Sequence, residues 1–407
     1  MLFYLRNYFY GGTYSFFWIS IIVYSIGFLL YISDHFISNL SLLIMVLGLI
    51  GIGYSLIRLI KVSISNAYLR VIFILFMSWQ LYIISRGIQE FNFTMLLNLL
   101  FSPYYFLHYL VPLVILIPAN IFFAKRTFNL FILLAILLFV FFLVFSNDML
   151  HTNLNFSEQT IWTLGTGGGF ILLTWNYHNN KRRLIAFLAV LLSLFVATVM
   201  ARRNIMLTFS NYLLFSILII LFNSSHSVKT KFQVIAAVLL LSIIAFNFFL
   251  MYEDKLFTRI ASHLNENTRE IVYDSFFRDM SIKDLIIGRG FLGEYYCPGV
   301  DPLKDTRFLI ESGYLQTILK GGIISLVLFL MIALPAIYLG IVNSKNILSK
   351  ASGTIVLLWL IDMFPWGMPA INIRYILVWT CIGICYSKAV RNLTDPEIKA
   401  SLSLVTK

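Results

Sequence analysis

Two adjacent arginines, Arg202 and Arg203, stand in a turn between two long apolar runs, with almost no polar sequence around them. Guanidinium forks bind phosphate oxygens bidentately and stay charged at any relevant pH, so one reading of the pair is an anion site for a lipid-linked phosphate or pyrophosphate. The other reading lets both side chains snorkel to lipid headgroups. Glu311 is the second chemical candidate. A carboxylate at an apolar boundary is a candidate general base, because apolar surroundings disfavour its charged form. In a short helix over 310–320, Glu311, Tyr314 and Ile318 share one face at i, i+3 and i+7. The alternative is a glutamate at a helix start, favoured there by the helix dipole.

Asp362 and Arg374 bracket Pro365-Trp-Gly-Met-Pro369 and either pair across that turn or line a cavity mouth. The run Asp284-Leu-Ile-Ile-Gly-Arg-Gly-Phe-Leu-Gly293 spells G-x-G-x-x-G. No helix can open at Glu294-Tyr-Tyr-Cys-Pro-Gly299, so a glycine turn that re-aims the chain fits better than a dinucleotide fingerprint. Arg289 inside it can still face a substrate. Gly165-Thr-Gly-Gly-Gly169 places small residues where helices pack closely, or where a lipid tail lies in a groove. The six histidines show no metal-ligand spacing, and no Walker loop or Ser-His-Asp elbow occurs, so no metal and no cofactor is expected.

The elements that carry these residues follow from composition. Of the 407 residues 60% are hydrophobic and only 12% charged, half of the quarter or so that a soluble domain uses to cover its surface. Apolar runs near twenty residues long identify an all-α polytopic membrane protein. Twelve spans are expected at 15–32, 38–57, 68–85, 103–123, 127–146, 160–176, 184–201, 204–222, 232–251, 322–342, 352–367 and 371–387, with a break at Gly321-Gly322. The chain thus divides into 1–251 with nine spans, a loop domain at 252–321, and 322–407 with three spans and a tail. Three cysteines give no disulfide framework.

With the N-terminus in the cytoplasm, seventeen Lys and Arg fall on the inner side. Only four, Arg86, Arg202, Arg203 and Arg374, fall on the short outer connections. That bias places both ends in the cytoplasm. It also accounts for the formal net charge of +12 without nucleic acid. The long polar stretch from Tyr252 to Leu309 then lies outside. Its apolar Ile271, Val272, Phe276 and Phe277, after Asn267-Thr268, predict a folded amphipathic helix.

Three local patterns resemble the O-antigen polymerase and O-antigen ligase superfamily of bacterial cell-envelope enzymes. Met200-Ala-Arg-Arg-Asn-Ile-Met206 is similar to its outer-end arginine. Thr268-Arg-Glu-Ile-Val with Leu285-Ile-Ile-Gly-Arg-Gly-Phe291 is similar to its loop arginine and glycine turn. Glu311-Ser-Gly-Tyr-Leu-Gln and Gly321-Gly-Ile323 are similar to the segment leading into the next span. Ligases carry a His-Asn pair where this chain has Glu311-Ser312, which favours a polymerase. The resemblance implies an inner-membrane enzyme, its site facing the periplasm, that polymerises undecaprenyl-pyrophosphate-linked repeat units. Arg202 and Arg203, with Arg269 or Arg289, would hold the leaving pyrophosphate. Glu311 would activate the acceptor hydroxyl, with Tyr314, Tyr295 and Tyr296 as sugar platforms. The implied partners are lipid-linked glycans, membrane lipids and a chain-length regulator. A flippase for lipid-linked oligosaccharide, or the related ligase, is the alternative.

Overall fold

The computed structural model describes residues 2–33, 38–61, 64–87, 101–102, 104–222, 232, 268–301 and 304–404. Helices α1 (Leu2–Ile32), α2 (Ser38–Leu59), α3 (Ala67–Gly87), α4 (Ile121–Val144), α5 (Asn180–Val199) and α6 (Arg203–Phe222) form the first part of the bundle. Two short helices, α7 (Thr268–Asp279) and α8 (Ile282–Ile287), and a hairpin of β1 (Tyr295–Asp301) and β2 (Lys304–Arg307) follow. Helices α9 (Gly313–Ile341), α10 (Ile347–Asp362), α11 (Ile373–Tyr386) and α12 (Asp395–Leu404) close the chain. Seven of these, α1 to α6 and α9, are long and apolar enough to cross a membrane. The chain is a helical membrane protein.

Four other expected spans take different forms. The fourth holds a ten-residue 3-10 helix, Leu107–Leu116, with Pro112 inside it. Proline removes a backbone donor and crowds the preceding turn, so a regular α-helix does not continue there. The sixth is a composite over 154–173 in which a π-helical turn, Ile161–Gly165, separates two α-helical pieces. The eleventh and twelfth are α10 and α11, of 16 and 14 residues. The ninth, at 232–251, falls almost wholly outside the described residues.

The glycines of the composite helix explain its central place. A Cβ on Gly167 would lie 2.7 Å from the Phe131 carbonyl of α4. One on Gly168 would lie 3.0 Å from the Ala186 carbonyl of α5, and one on Gly169 2.3 Å from the Tyr212 ring of α6. Three successive glycines therefore admit three different helices at close range, as the small-residue pattern predicts.

Helix α11 is apolar after Arg374 in its first turn, and every residue of it except Gly383 is buried. Such a helix belongs at the centre of a bundle. At 1.5 Å per residue its 14 residues span about 21 Å, whereas the 24 of α4 span about 36 Å. The 268–312 segment packs at the end of the bundle where α9 begins.

This segment folds on a small core of its own. Val272, Phe276, Met280, Tyr295, Cys297, Ile310 and Leu319 are buried together. The expected amphipathic helix is α7, with Val272 and Phe276 inward and Ile271 and Phe277 exposed. Helix α8 starts with a capping box between Ser281 and Asp284. The loop docks where α9 breaks. Gly322 has φ 68° and Gly288 φ 71°, both in the left-handed region that glycine enters freely. The break frees helix carbonyls, and the loop supplies donors: Arg289 N–H to Leu319 (2.8 Å) and Gly290 N–H to Lys320 (3.0 Å). Trp79 Nε1 donates to the Gly321 carbonyl at 2.8 Å, and Arg86 of α3 donates to the carbonyls of Ile287 and Gly288. The break expected at Gly321-Gly322 is therefore present, and it is the loop's seat.

Replacing Gly167 with valine should destabilise the protein by about 1–3 kcal/mol, because the backbone it meets cannot yield. Gly53, with nothing within 4 Å of its Cβ position, should accept valine with no comparable loss. Thermal unfolding of the two variants in the same detergent checks the contrast, and equal behaviour would refute the packing account.

Candidate functional site

Charged residues gather at the loop end of the bundle. Asp362, at the end of α10, and Arg374, at the start of α11, form a buried ion pair across the turn. They are 3% and 5% exposed, so neither is a surface charge. Thr208 of α6 donates its hydroxyl to the second Asp362 oxygen at 2.9 Å. The Arg374 guanidinium stacks on Trp162 at 4.1 Å and on Trp359 at 5.0 Å. Flat, weakly hydrated guanidinium suits this aromatic sandwich better than an ammonium would.

One turn before Thr208, α6 begins at the arginine pair. The turn between α5 and α6 is tight, with Ala201 at φ 52°. A left-handed alanine costs about 1–2 kcal/mol. Arg203 is exposed, and Arg202 is half-buried with its Nε 3.5 Å from Glu158. Asn204 Nδ2 approaches the other Glu158 oxygen at 3.4 Å. Glu158 is itself buried, 8% exposed, so this contact helps offset the cost of enclosing its carboxylate, and Arg203 is the exposed cation of the turn.

The end of α10 also anchors the turn that holds Glu311. The Met363 carbonyl accepts from Gly313 N–H at 2.8 Å and from the Ser312 hydroxyl at 3.4 Å. The Tyr314 hydroxyl donates to the Leu360 carbonyl at 2.8 Å. Helix α9 starts at Gly313, with Ser312 as an N-cap whose hydroxyl makes no capping bond to the helix. Glu311 thus precedes the helix instead of sharing a face of it with Tyr314 and Ile318. A Cβ on Gly313 would lie 2.4 Å from the Gly367 carbonyl, so the 363–367 turn sets where the helix begins.

Beside this turn lies a small recess of about 40 Å³. Among its walls are Gln80 of α3, His108 and Tyr109 of the 3-10 helix, Gln316 and Lys320 of α9, and Trp359 of α10. Among the described residues no carboxylate lines it. Gln316 links wall and turn, because its Oε1 accepts from Ile310 N–H at 3.0 Å.

The structure thus joins Asp362, Arg374, the Glu311 turn and Tyr314 at the end of α10, while Arg202 lies at the start of α6 against Glu158. Other expected site residues lie elsewhere. Arg289 is committed to the loop: it pairs with Asp279 and with Asp284 (3.0 Å) and donates to the Glu294 carbonyl at 2.8 Å. Tyr295 is 1% exposed inside the loop core, whereas Tyr296 is 52% exposed. Arg269 sits in the first turn of α7. Glu158 and Lys320 are additions. Glu158 falls two residues before the expected sixth span, and Lys320 sits on the expected interfacial helix, where solvated lysines are ordinary.

No protein-family model matches the chain, and no curated protein or solved structure matches it either.

Asp362→Asn should destabilise the protein by about 3–5 kcal/mol, because it strands a buried cation. Combining Asp362→Asn with Arg374→Met should recover part of that loss in thermal unfolding, and no recovery would contradict an electrostatic origin. In the loop, burial alone would raise the pKa of Asp284, but the Ser281 hydroxyl and the Arg289 guanidinium outweigh it and hold it below its ordinary value. A depressed carboxylate stabilises above its unfolded pKa of about 3.9 and ceases to as pH falls through its own lower value. Amide protection over 281–296, taken relative to the intrinsic exchange rate at each pH, should therefore hold at neutral pH and fall below pH ~4. Protection that is unchanged in acid would remove the Asp284–Arg289 clamp as its cause.

Proposed function

We propose that this protein is a bacterial inner-membrane glycosyltransferase of the O-antigen polymerase type. On this reading the chain crosses the membrane twelve times, both ends lie in the cytoplasm, and the loop end of the bundle faces the periplasm. The substrates are undecaprenyl-pyrophosphate-linked glycans. The observation that carries the proposal is the assembly at the loop end: a buried ion pair and the Glu311 turn, both fixed to the end of α10, with the arginine turn at the start of α6, whose Thr208 reaches that pair.

The reaction follows from these parts. The acceptor hydroxyl attacks the anomeric carbon of the donor, the bond from that carbon to the pyrophosphate oxygen breaks, and the lipid pyrophosphate leaves. Arg203 and Arg202, at the start of α6, neutralise the charge that develops on the leaving group. Helix α6 adds its positive N-terminal dipole in the same direction. Glu311 takes the proton of the attacking hydroxyl. Arg269 is a third cation for the lipid phosphates, and exposed Tyr296 and half-buried Tyr314 flank the glycan path. Arg289 has the separate task of holding the loop together.

A second reading rests on one observation. The composite helix at 154–173 is interrupted by a π turn, and interrupted helices line the substrate sites of many transporters. A flippase for the same lipid-linked oligosaccharide would use such a break.

The glycan ladder of cells separates these readings. Deleting the gene should leave single-repeat glycans, and wild type should restore the full ladder. Arg203→Ala should abolish the ladder while the protein still reaches the membrane, and Glu311→Gln should shorten it at least tenfold in yield. A normal ladder in the Arg203 variant would remove the anion role. Loss of every surface repeat on deletion, the single one included, would favour export.

A further inference from the structure

A second cavity, of about 230 Å³, lies at the other end of the bundle. Helix α3 sets the distance. Leu69 in its first turn borders this cavity and Arg86 in its last turn reaches the loop. Its 21 residues therefore put about 32 Å between the two. The hydrocarbon core of a bilayer is about 30 Å thick, so the cavity sits at headgroup level in the leaflet opposite the loop. Its walls come from the link between α2 and α3, the end of the 3-10 helix and the end of α11. Three bonds fix this frame. Lys61 N–H donates to the Leu116 carbonyl at 3.1 Å, the Ser387 hydroxyl to the Ala119 carbonyl at 3.3 Å, and Arg70 Nε to the Ile64 carbonyl at 3.0 Å.

Gly383 keeps the space open. It lines the cavity and is the one residue of α11 that is not buried. A Cβ there would meet Ile115 and Ala119 no closer than 3.8 Å, an ordinary contact distance. Packing therefore does not demand glycine at this position, unlike Gly167 to Gly169, and glycine is a poor helix former. The missing side chain leaves volume, and the walls say for what. Lys61 lines the cavity with Ser65, Asn66 and Ser387, and among the described wall residues none is acidic. Arg58 and Arg70 flank the same link, and the sequence from 35 to 89 carries no Asp or Glu at all. A water molecule takes about 30 Å³ of liquid, so a group of phosphate size fits with room to spare. Ile64, Leu69 and Ile117 stand beside the polar groups. A free anion has no use for such apolar walls, whereas a phosphate joined to glycerol and acyl chains does.

We propose that this cavity binds the headgroup of an anionic glycerophospholipid from the leaflet opposite the loop. Basic pockets between membrane helices recognise lipid headgroups by this combination of cation, polar groups and apolar wall. The phosphate meets Lys61, and the headgroup hydroxyls meet Ser65 and Ser387. An ethanolamine headgroup would bring an ammonium that needs a carboxylate, which the described walls do not supply. The site is independent of the chemistry at the loop end.

The test is native mass spectrometry of the full chain released from nanodiscs of phosphatidylglycerol and phosphatidylethanolamine in equal parts. Wild type should retain phosphatidylglycerol in preference to phosphatidylethanolamine. Lys61→Gln, at an exposed side chain, should lower that preference about fivefold, the worth of one basic residue near a lipid surface. Gly383→Leu fills the cavity from a position with no close neighbour, and should lose the retained lipid at unchanged thermal stability. Gly53→Leu, which adds the same side chain in open space on α2, should keep it. Equal retention of the two lipids by wild type, or undiminished preference in Lys61→Gln and Gly383→Leu, would overturn the site. Equal loss in Gly53→Leu would also overturn it, as a general effect of added leucine. If Gly383→Leu does not fold, Lys61→Gln decides alone. Displacement of the lipid by soluble glycerol phosphate would support the anion chemistry and overturn the lipid source.

Discussion

A cation and a carboxylate withdrawn together from water carry the organisation of the loop end. Arg374 and Asp362 are both almost fully buried. Each would cost several kcal/mol to desolvate alone. Their mutual contact, the Thr208 hydroxyl and the two indole faces offset that cost only in one arrangement. The pair therefore fixes the end of α10 against the start of α11 and draws α6 to both. Everything polar nearby is measured from that point. Met363 is the next residue and holds the Glu311 turn, Leu360 holds Tyr314, and Trp359 is at once a face for Arg374 and a wall of the recess.

Enclosure is the second constraint. Asp362 and Arg374 are withdrawn from water, and there electrostatic interactions are stronger than at an open surface. The loop has a seat of its own. It is seated on the carbonyls released by the break in α9 and held by Arg86 from α3, while Trp79 of α3 satisfies the Gly321 carbonyl of the break itself. Helix break, loop seat and recess wall are one construction, since Lys320 and Gly321 belong to all three.

Much of this was legible in the sequence, and the reasons differ by residue. Long apolar runs declared α1 to α6 and α9, because a membrane demands length and apolarity at once. Arg202, Asp362 and Arg374 stood out because charge is rare in such surroundings. Gly165 to Gly169 and Gly321-Gly322 announced close packing and a break. What stayed hidden depended on tertiary neighbours. The 3-10 form of Leu107–Leu116 and the π turn at Ile161–Gly165 leave the apolar pattern unchanged while altering the backbone. Glu158 and Lys320 look like ordinary boundary charges, and only the fold places them within the site. Arg289 misled in the opposite sense: its partners Asp279 and Asp284 were near in sequence, but spacing alone does not tell a clamp from a free cation.

The facing glycines carry an evolutionary consequence. A Cβ on Gly288 would lie 2.3 Å from the Lys320 carbonyl, and one on Gly322 would lie 2.0 Å from the Ile286 carbonyl. Each position is closed by the main chain next to the other, and main chain cannot mutate out of the way. Drift at either residue is blocked however freely the side chains around them vary. The two sites must descend as a linked pair, an inherited hinge pin joining the loop to the helix. Distant relatives of this chain should be found by that pair of glycines sooner than by any charged residue.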